Sequence, residues 1–112
     1  MTNRPMALLT ASAICAAAFG GAAAVSGAAS RTVTLKNIAF SPKSLSVSKG
    51  SSVTFAFRDG STRHNVISSG SRRFKSISTR SSGSLKRTFT RAGTYRYQCT
   101  LHPGMTGRIT VR

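Results

Sequence analysis

The sequence predicts an all-β domain over residues 30–112, a Greek-key β-sandwich of seven to eight strands. Three observations carry that expectation. Beyond Arg31 apolar residues recur at every second position, the period of a half-buried strand. Turn residues separate these runs at short, regular intervals, as in sandwiches and barrels. The same region shows no apolar stripe at the three-and-four spacing of a helix.

In chain order, Val33 and Leu35 share a face in Thr32-Val33-Thr34-Leu35-Lys36. Beyond the turn signal Ser41-Pro42, Leu45 and Val47 do the same. After Lys49-Gly50-Ser51 come Val53, Phe55 and Phe57, a stronger set. The turn Asp59-Gly60-Ser61 leads to His64, and Val66 and Ile67 continue a strand to Ser69-Gly70-Ser71. Residues 72–84 are Ser-rich and basic and read as a loop. Leu85 and Phe89 share a face, with Arg87 between them on that face. Past Ala92-Gly93, Tyr95, Tyr97 and Cys99 point one way and Thr94, Arg96 and Gln98 the other. Ile109 and Val111 close the chain.

The first 29 residues are of another kind. Arg4 is the only charge before Arg31, the stretch from Met6 to Val25 is uncharged and Ala-rich, and Ser26-Gly27-Ala28-Ala29-Ser30 is small throughout. A basic start, an apolar middle and a small-residue end predict a secretory signal peptide over 1–29, cut after Ala29. The alternative is an uncleaved membrane anchor, for which the stretch is long enough. Export places the remaining domain in a periplasm, an envelope or the extracellular space, with Cys99 as its single cysteine. Oxidising compartments favour paired cysteines, so a lone thiol there calls for a reason, and metal ligation is one.

Charge narrows the function classes. The chain has 17 Lys and Arg against one acid, Asp59, for a formal net charge of +16. Such a surface attracts anions and repels itself. The basic residues run from Arg31 to Arg112 instead of forming a tail, and only Arg72, Arg73 and Lys75 make a tight group. No helix-turn-helix, zinc-finger or RNA-recognition pattern is present. The reading is a solvated basic surface suited to an acidic partner or an anionic envelope, not a nucleic-acid binder. A domain this short buries one modest core and leaves no room for a large small-molecule substrate cleft.

The residues that carry chemistry lie near the C-terminus. Gly93-Thr94-Tyr95-Arg96-Tyr97-Gln98-Cys99-Thr100-Leu101-His102-Pro103-Gly104-Met105 holds a thiol, an imidazole and a thioether at 99, 102 and 105. The only other histidine, His64, stands in Arg63-His64-Asn65-Val66. Singly, each has a bland explanation: a buried cysteine packs, a loop methionine fills space, a turn histidine is solvated. Jointly they include both histidines of the chain and the only Cys and Met of residues 30–112. Two His and one Cys near a plane with a long axial Met are the donor set of a blue-copper site. Cys99 ends a strand, the Pro103-Gly104 turn can bring His102 and Met105 back to it, and His64 has to arrive from a neighbouring strand end.

Cys-x-x-His-x-x-Met after Gly-Thr-Tyr-x-Tyr-x-Cys and before Gly-x-Ile-x-Val resembles the ligand loop of plastocyanin-like and amicyanin-like cupredoxins. Residues 39–55, from Ala39-Phe40-Ser41-Pro42 to Val53-Thr54-Phe55, are similar to that family's early strands, and His64-Asn65-Val66 to its first ligand motif. The resemblance implies His64, Cys99 and His102 as strong copper ligands, Met105 as the axial one, and Asn65 as the brace of the cysteine loop. It also implies one copper per chain, cycling between Cu(I) and Cu(II), in a monomeric carrier of single electrons that is not an enzyme, and the basic surface adds an acidic redox partner. Multicopper enzyme domains need more histidines than two. Copper storage or delivery, and polyanion binding on the same scaffold, are the alternatives. The sequence departs from the pattern before the first ligand. Relatives often carry Asn-x-Asp there, whereas here Phe57 stands near the Asn and only Asp59 remains. Arg63 replaces a small or apolar residue. The bracing of the first-ligand loop is thereby left open.

Overall fold

A computed structural model describes residues 27–112. The leader expected over 1–29 therefore falls almost wholly outside the described residues. The remainder forms nine strands: β1 (Ser30–Leu35), β2 (Phe40–Ser41), β3 (Ser44–Val47), β4 (Ser51–Phe57), β5 (His64–Ser69), β6 (Ile77–Arg80), β7 (Ser84–Phe89), β8 (Gly93–Gln98) and β9 (Thr106–Val111). Among the described residues no helix is long and apolar enough to cross a membrane.

The strands build two sheets, ordered β2-β1-β4-β7 and β3-β9-β8-β5-β6. Both are mixed: β1 runs parallel to β4 and β3 parallel to β9, while the other pairs are antiparallel. The alternation read from the sequence is the alternation of burial. Val33 and Leu35, Val53, Phe55 and Phe57, Tyr95 and Tyr97, and Ile109 and Val111 are buried between the sheets. Strand pleating forces this, because successive side chains point to opposite faces.

Two of the nine strands were not foreseen. The two-residue β2 is too short for a period to show. The segment read as a loop, 72–84, contains β6, whose one buried apolar residue is Ile77 amid exposed polar neighbours. It pairs with β5 across a bulge, His64↔Arg80 and Val66↔Ile77. A strand with one inward apolar residue leaves no alternation to read. Arg87, on the inward face between Leu85 and Phe89, turns its guanidinium to the carbonyls of Lys75 (2.8 Å) and Ser76 (3.4 Å). Its charge is thus used to tie β7 to the segment before β6.

Tyr97 is the hub of the core. Its ring meets Phe40 edge-on at 4.8 Å, Phe55 at 5.4 Å and Phe74 at 5.9 Å. Directly across on β9 stands Gly107, where a Cβ would lie 2.5 Å from the Tyr97 ring. Only glycine fits beside that ring. The Tyr97 hydroxyl is buried and, among the described residues, has no hydrogen-bond partner, and desolvation pushes its pKa above the ordinary phenol value.

Candidate metal centre

One end of the sandwich gathers the chemistry-bearing residues. His64 opens β5 and is fully buried. Cys99 follows the last residue of β8, the strand that pairs with β5 through Ile67↔Gln98. The histidine that sequence spacing left remote is delivered by the sheet. The ligand atoms of His64, Cys99 and His102 all lie within 4.8 Å of one another, and the two imidazole centroids are 4.8 Å apart.

The loop from Cys99 to Met105 is closed by its own backbone. Cys99 N–H donates to the Met105 carbonyl (2.9 Å), and Met105 N–H to the His102 carbonyl (3.1 Å). Cys99 and Met105 are buried at 3% and 4% exposure, whereas His102 is partly exposed. Among the described residues the cysteine forms no disulfide.

Asn65 fastens this loop to β5. Its Nδ2 donates to Thr100 Oγ1 (2.8 Å), and its Oδ1 accepts from Thr100 N–H (2.9 Å). A two-point clamp on the residue after Cys99 restrains the direction in which the thiol points. This is the brace the resemblance implied for Asn65.

The histidine tautomers follow from their outer partners. His64 Nε2 lies 2.8 Å from Asp59 Oδ2 and donates to it, leaving the Nδ1 lone pair directed inward. That Nδ1 is 3.8 Å from Cys99 Sγ. Two donors each ~2.0–2.3 Å from a common centre and 120° apart stand about 3.8 Å from one another, so the pair fits a shared first-row metal ion in a trigonal plane. His102 Nε2 lies 3.0 Å from the Arg63 carbonyl and donates to it, which leaves its Nδ1 as the free donor atom. Soft thiolate, two imidazoles and a buried thioether form a donor set that selects copper.

The bracing that the sequence left open comes from Asp59, the chain's only acid. Besides His64, its Oδ2 accepts the N–H of Ile38 at 3.0 Å. Asn37 and Ile38 both have positive φ, 55° and 54°, a conformation costly for a β-branched residue and held only when surroundings over-determine it. The carboxylate joins a strained turn after β1 to the buried imidazole. The His64 hydrogen bond first, and the Ile38 N–H next, hold the Asp59 carboxyl below its ordinary pKa. Sequence reasoning saw Asp59 only as a remnant of a motif. Its being the lone acid in a strongly basic chain was the signal of a dedicated task.

The family model of the cupredoxin-like domain matches residues 6–111. No curated protein matches the chain. Among solved structures, a Cu(I) form of an amicyanin variant is 28% identical, with a TM-score of 0.67 over 74% of this chain and 82% of that one. A purple cupredoxin from Nitrosopumilus maritimus is 23% identical, with a TM-score of 0.65 over 73% of this chain and 99% of that one, a likeness of fold. A copper-containing nitrite reductase from Thermus scotoductus is 28% identical, with a TM-score of 0.64 over 72% of this chain; the chain spans only 22% of that enzyme. The family match runs through both sheets and through the end of the sandwich where His64, Cys99 and His102 converge, and the chain belongs to the cupredoxin-like family.

Proposed function

We propose that this protein is a small exported electron carrier whose single copper is held by His64, Cys99 and His102, with Met105 as a weak axial donor. One observation carries the reading: three donor atoms, one from β5 and two from the loop after β8, lie within 4.8 Å of one another, and the same loop buries Met105. Copper bound there supplies a one-electron couple, Cu(I)/Cu(II). The residues do the rest. Backbone bonds across 99–105 and the Asn65 clamp keep the donors in place whichever charge the site carries, so little rearranges when an electron passes. Four protein donors leave no open position of the kind a catalytic metal keeps for substrate. Both histidines of the chain sit in this one cluster, so no second metal centre of the kind multicopper enzymes need can be assembled. His102 is the donor nearest solvent and the natural route for the electron.

Export rests on the leader pattern over residues 1–29, with 30–112 as the copper domain. A mature mass starting at Ser30 is expected, and an intact Met1 start in a membrane fraction would replace cleavage by anchoring. The partner is an acidic redox protein. The 16 Lys and Arg of residues 30–112 against Asp59 alone steer such a partner over about a Debye length, ~8 Å at physiological salt, and the salt slope of the reduction rate measures it.

The absorption spectrum tests the core of the proposal. Cu(II) added to the protein gives an intense visible thiolate-to-copper band, and Cys99→Ser removes it. A Ser variant that stays blue would sink the assignment.

A further inference from the structure

The outer face of the five-stranded sheet carries an arrangement that the copper site does not use. One rung of the sheet runs Ser44↔Arg108 between β3 and β9, Arg108↔Arg96 between β9 and β8, and Arg96↔Ser69 between β8 and β5. Two arginines therefore stand directly opposite each other in the middle of the rung, the one pair of directly opposed cations in the strand registers described. Like charges so placed repel and cost stability. The chain's only acid, Asp59, is committed to His64 and Ile38 and cannot relieve them.

Three of the other arginines show what an arginine here does when it has a structural task. Arg58, Arg73 and Arg87 each turn the guanidinium onto backbone carbonyls. Arg96 and Arg108 are exposed, and among the described residues their side chains bond to nothing. They border a groove of about 390 Å³ with Lys43, Ser44, Gln98 and Thr106. Its lining includes three cations, an amide and the hydroxyls of Ser44, Ser69 and Thr106, and none of its side chains is acidic.

We propose that this groove binds a phosphate group, bracketed by Arg96 and Arg108. The chemistry favours phosphate over carboxylate. Opposed residues on adjacent strands have Cα atoms only about 5 Å apart, so two guanidinium forks can reach one anion from either side. A planar carboxylate is satisfied by a single fork, whereas a tetrahedral phosphate offers oxygens to both forks and to the Ser44 and Thr106 hydroxyls. The phosphate is free in solution or belongs to a lipid headgroup. The proposal is independent of the copper reading, and either can fail alone.

Calorimetric titration with inorganic phosphate, at an ionic strength held constant with chloride, tests it. Wild type binds one phosphate saturably. Arg96→Gln/Arg108→Gln weakens binding at least about tenfold, the loss expected when two charged hydrogen-bonding partners go. Lys36→Gln/Lys86→Gln removes the same charge from β7 and from the residue after β1, away from the groove, and changes binding less than about twofold. Thermal midpoints add a second readout. Without phosphate the arginine double variant melts above wild type, because a repulsion is gone; with saturating phosphate the order reverses, because only wild type gains ligand stabilisation. Vesicles of phosphatidylglycerol against phosphatidylcholine separate the sources. Retention on the anionic vesicles that needs Arg96 and Arg108 assigns a lipid headgroup, and phosphate binding without such retention assigns the free ion. Equal losses in the two double variants would reduce the effect to the diffuse positive field and overturn the proposal. So would absence of saturable binding, or a Glu-rich peptide that outcompetes phosphate at the same arginines.

Discussion

The two imidazoles at the copper end stand in different surroundings. His64 belongs to a strand, is fully buried, and is held through Asp59 to a strained turn at Asn37 and Ile38. His102 belongs to a loop, is partly exposed, and its ring donates to the carbonyl of Arg63. The ring of the sheet's donor is positioned by Asp59 from the loop just before its own strand, and through it by the turn at Ile38. The ring of the loop's donor is positioned by a carbonyl remote in sequence, and its loop by its own backbone bonds and by Asn65 reaching across from β5 to Thr100. An electron carrier needs both: a rigid inner wall that resists rearrangement and an outer donor close to its partner.

The largest expected effect comes from removing each imidazole in turn. His64→Ala empties a fully buried site, and the thiolate band is lost and stays lost when free imidazole is added. His102→Ala opens the solvent side, and added imidazole enters and restores the band. Equal rescue of the two variants would break the distinction between an inner and an outer donor.

A smaller effect is expected where the two regions are stitched together. Asn65→Ala leaves the Thr100 N–H without its acceptor and should cost ~1–3 kcal/mol in the copper-free protein, the usual range for an orphaned donor. Chemical unfolding measures it. If the cost is near zero, the loop is held by its own backbone bonds and the clamp is incidental.

The smallest effect sharpens the account of the inner wall. Asp59→Asn keeps an oxygen to accept from His64 Nε2 but removes the negative charge behind the ligand, so copper binding persists at one per chain while the reduction potential rises. The acid limb of stability changes as well. Because the folded carboxyl is held below its ordinary value near 3.8, its contribution is present above that value and is lost as pH falls through the lower folded value. The Asn variant loses that dependence. Acid titrations of both forms, followed by near-ultraviolet circular dichroism, show whether the limb flattens; an unchanged limb and an unchanged potential would remove Asp59 from the site's design.

Much of this molecule is local information. Strand faces such as Val53, Phe55 and Phe57 were legible because pleating maps a two-residue period directly onto burial. The Cys99, His102 and Met105 grouping was legible because a single turn holds it. The expected sandwich of seven to eight strands needed the addition of β2 and β6, which carry too few inward apolar residues to show a period. The arrival of His64 beside Cys99 and the Asn65 clamp, both across 35 residues, depend on β5 lying beside β8.

Fold class and the candidate donors could be read along the chain, since side-chain chemistry and alternation travel with it. Tertiary structure alone decided the task of the single acid and the facing of Arg96 with Arg108. Both depend on strand register and on loops meeting across the sandwich, and no residue carries that information in its immediate neighbours.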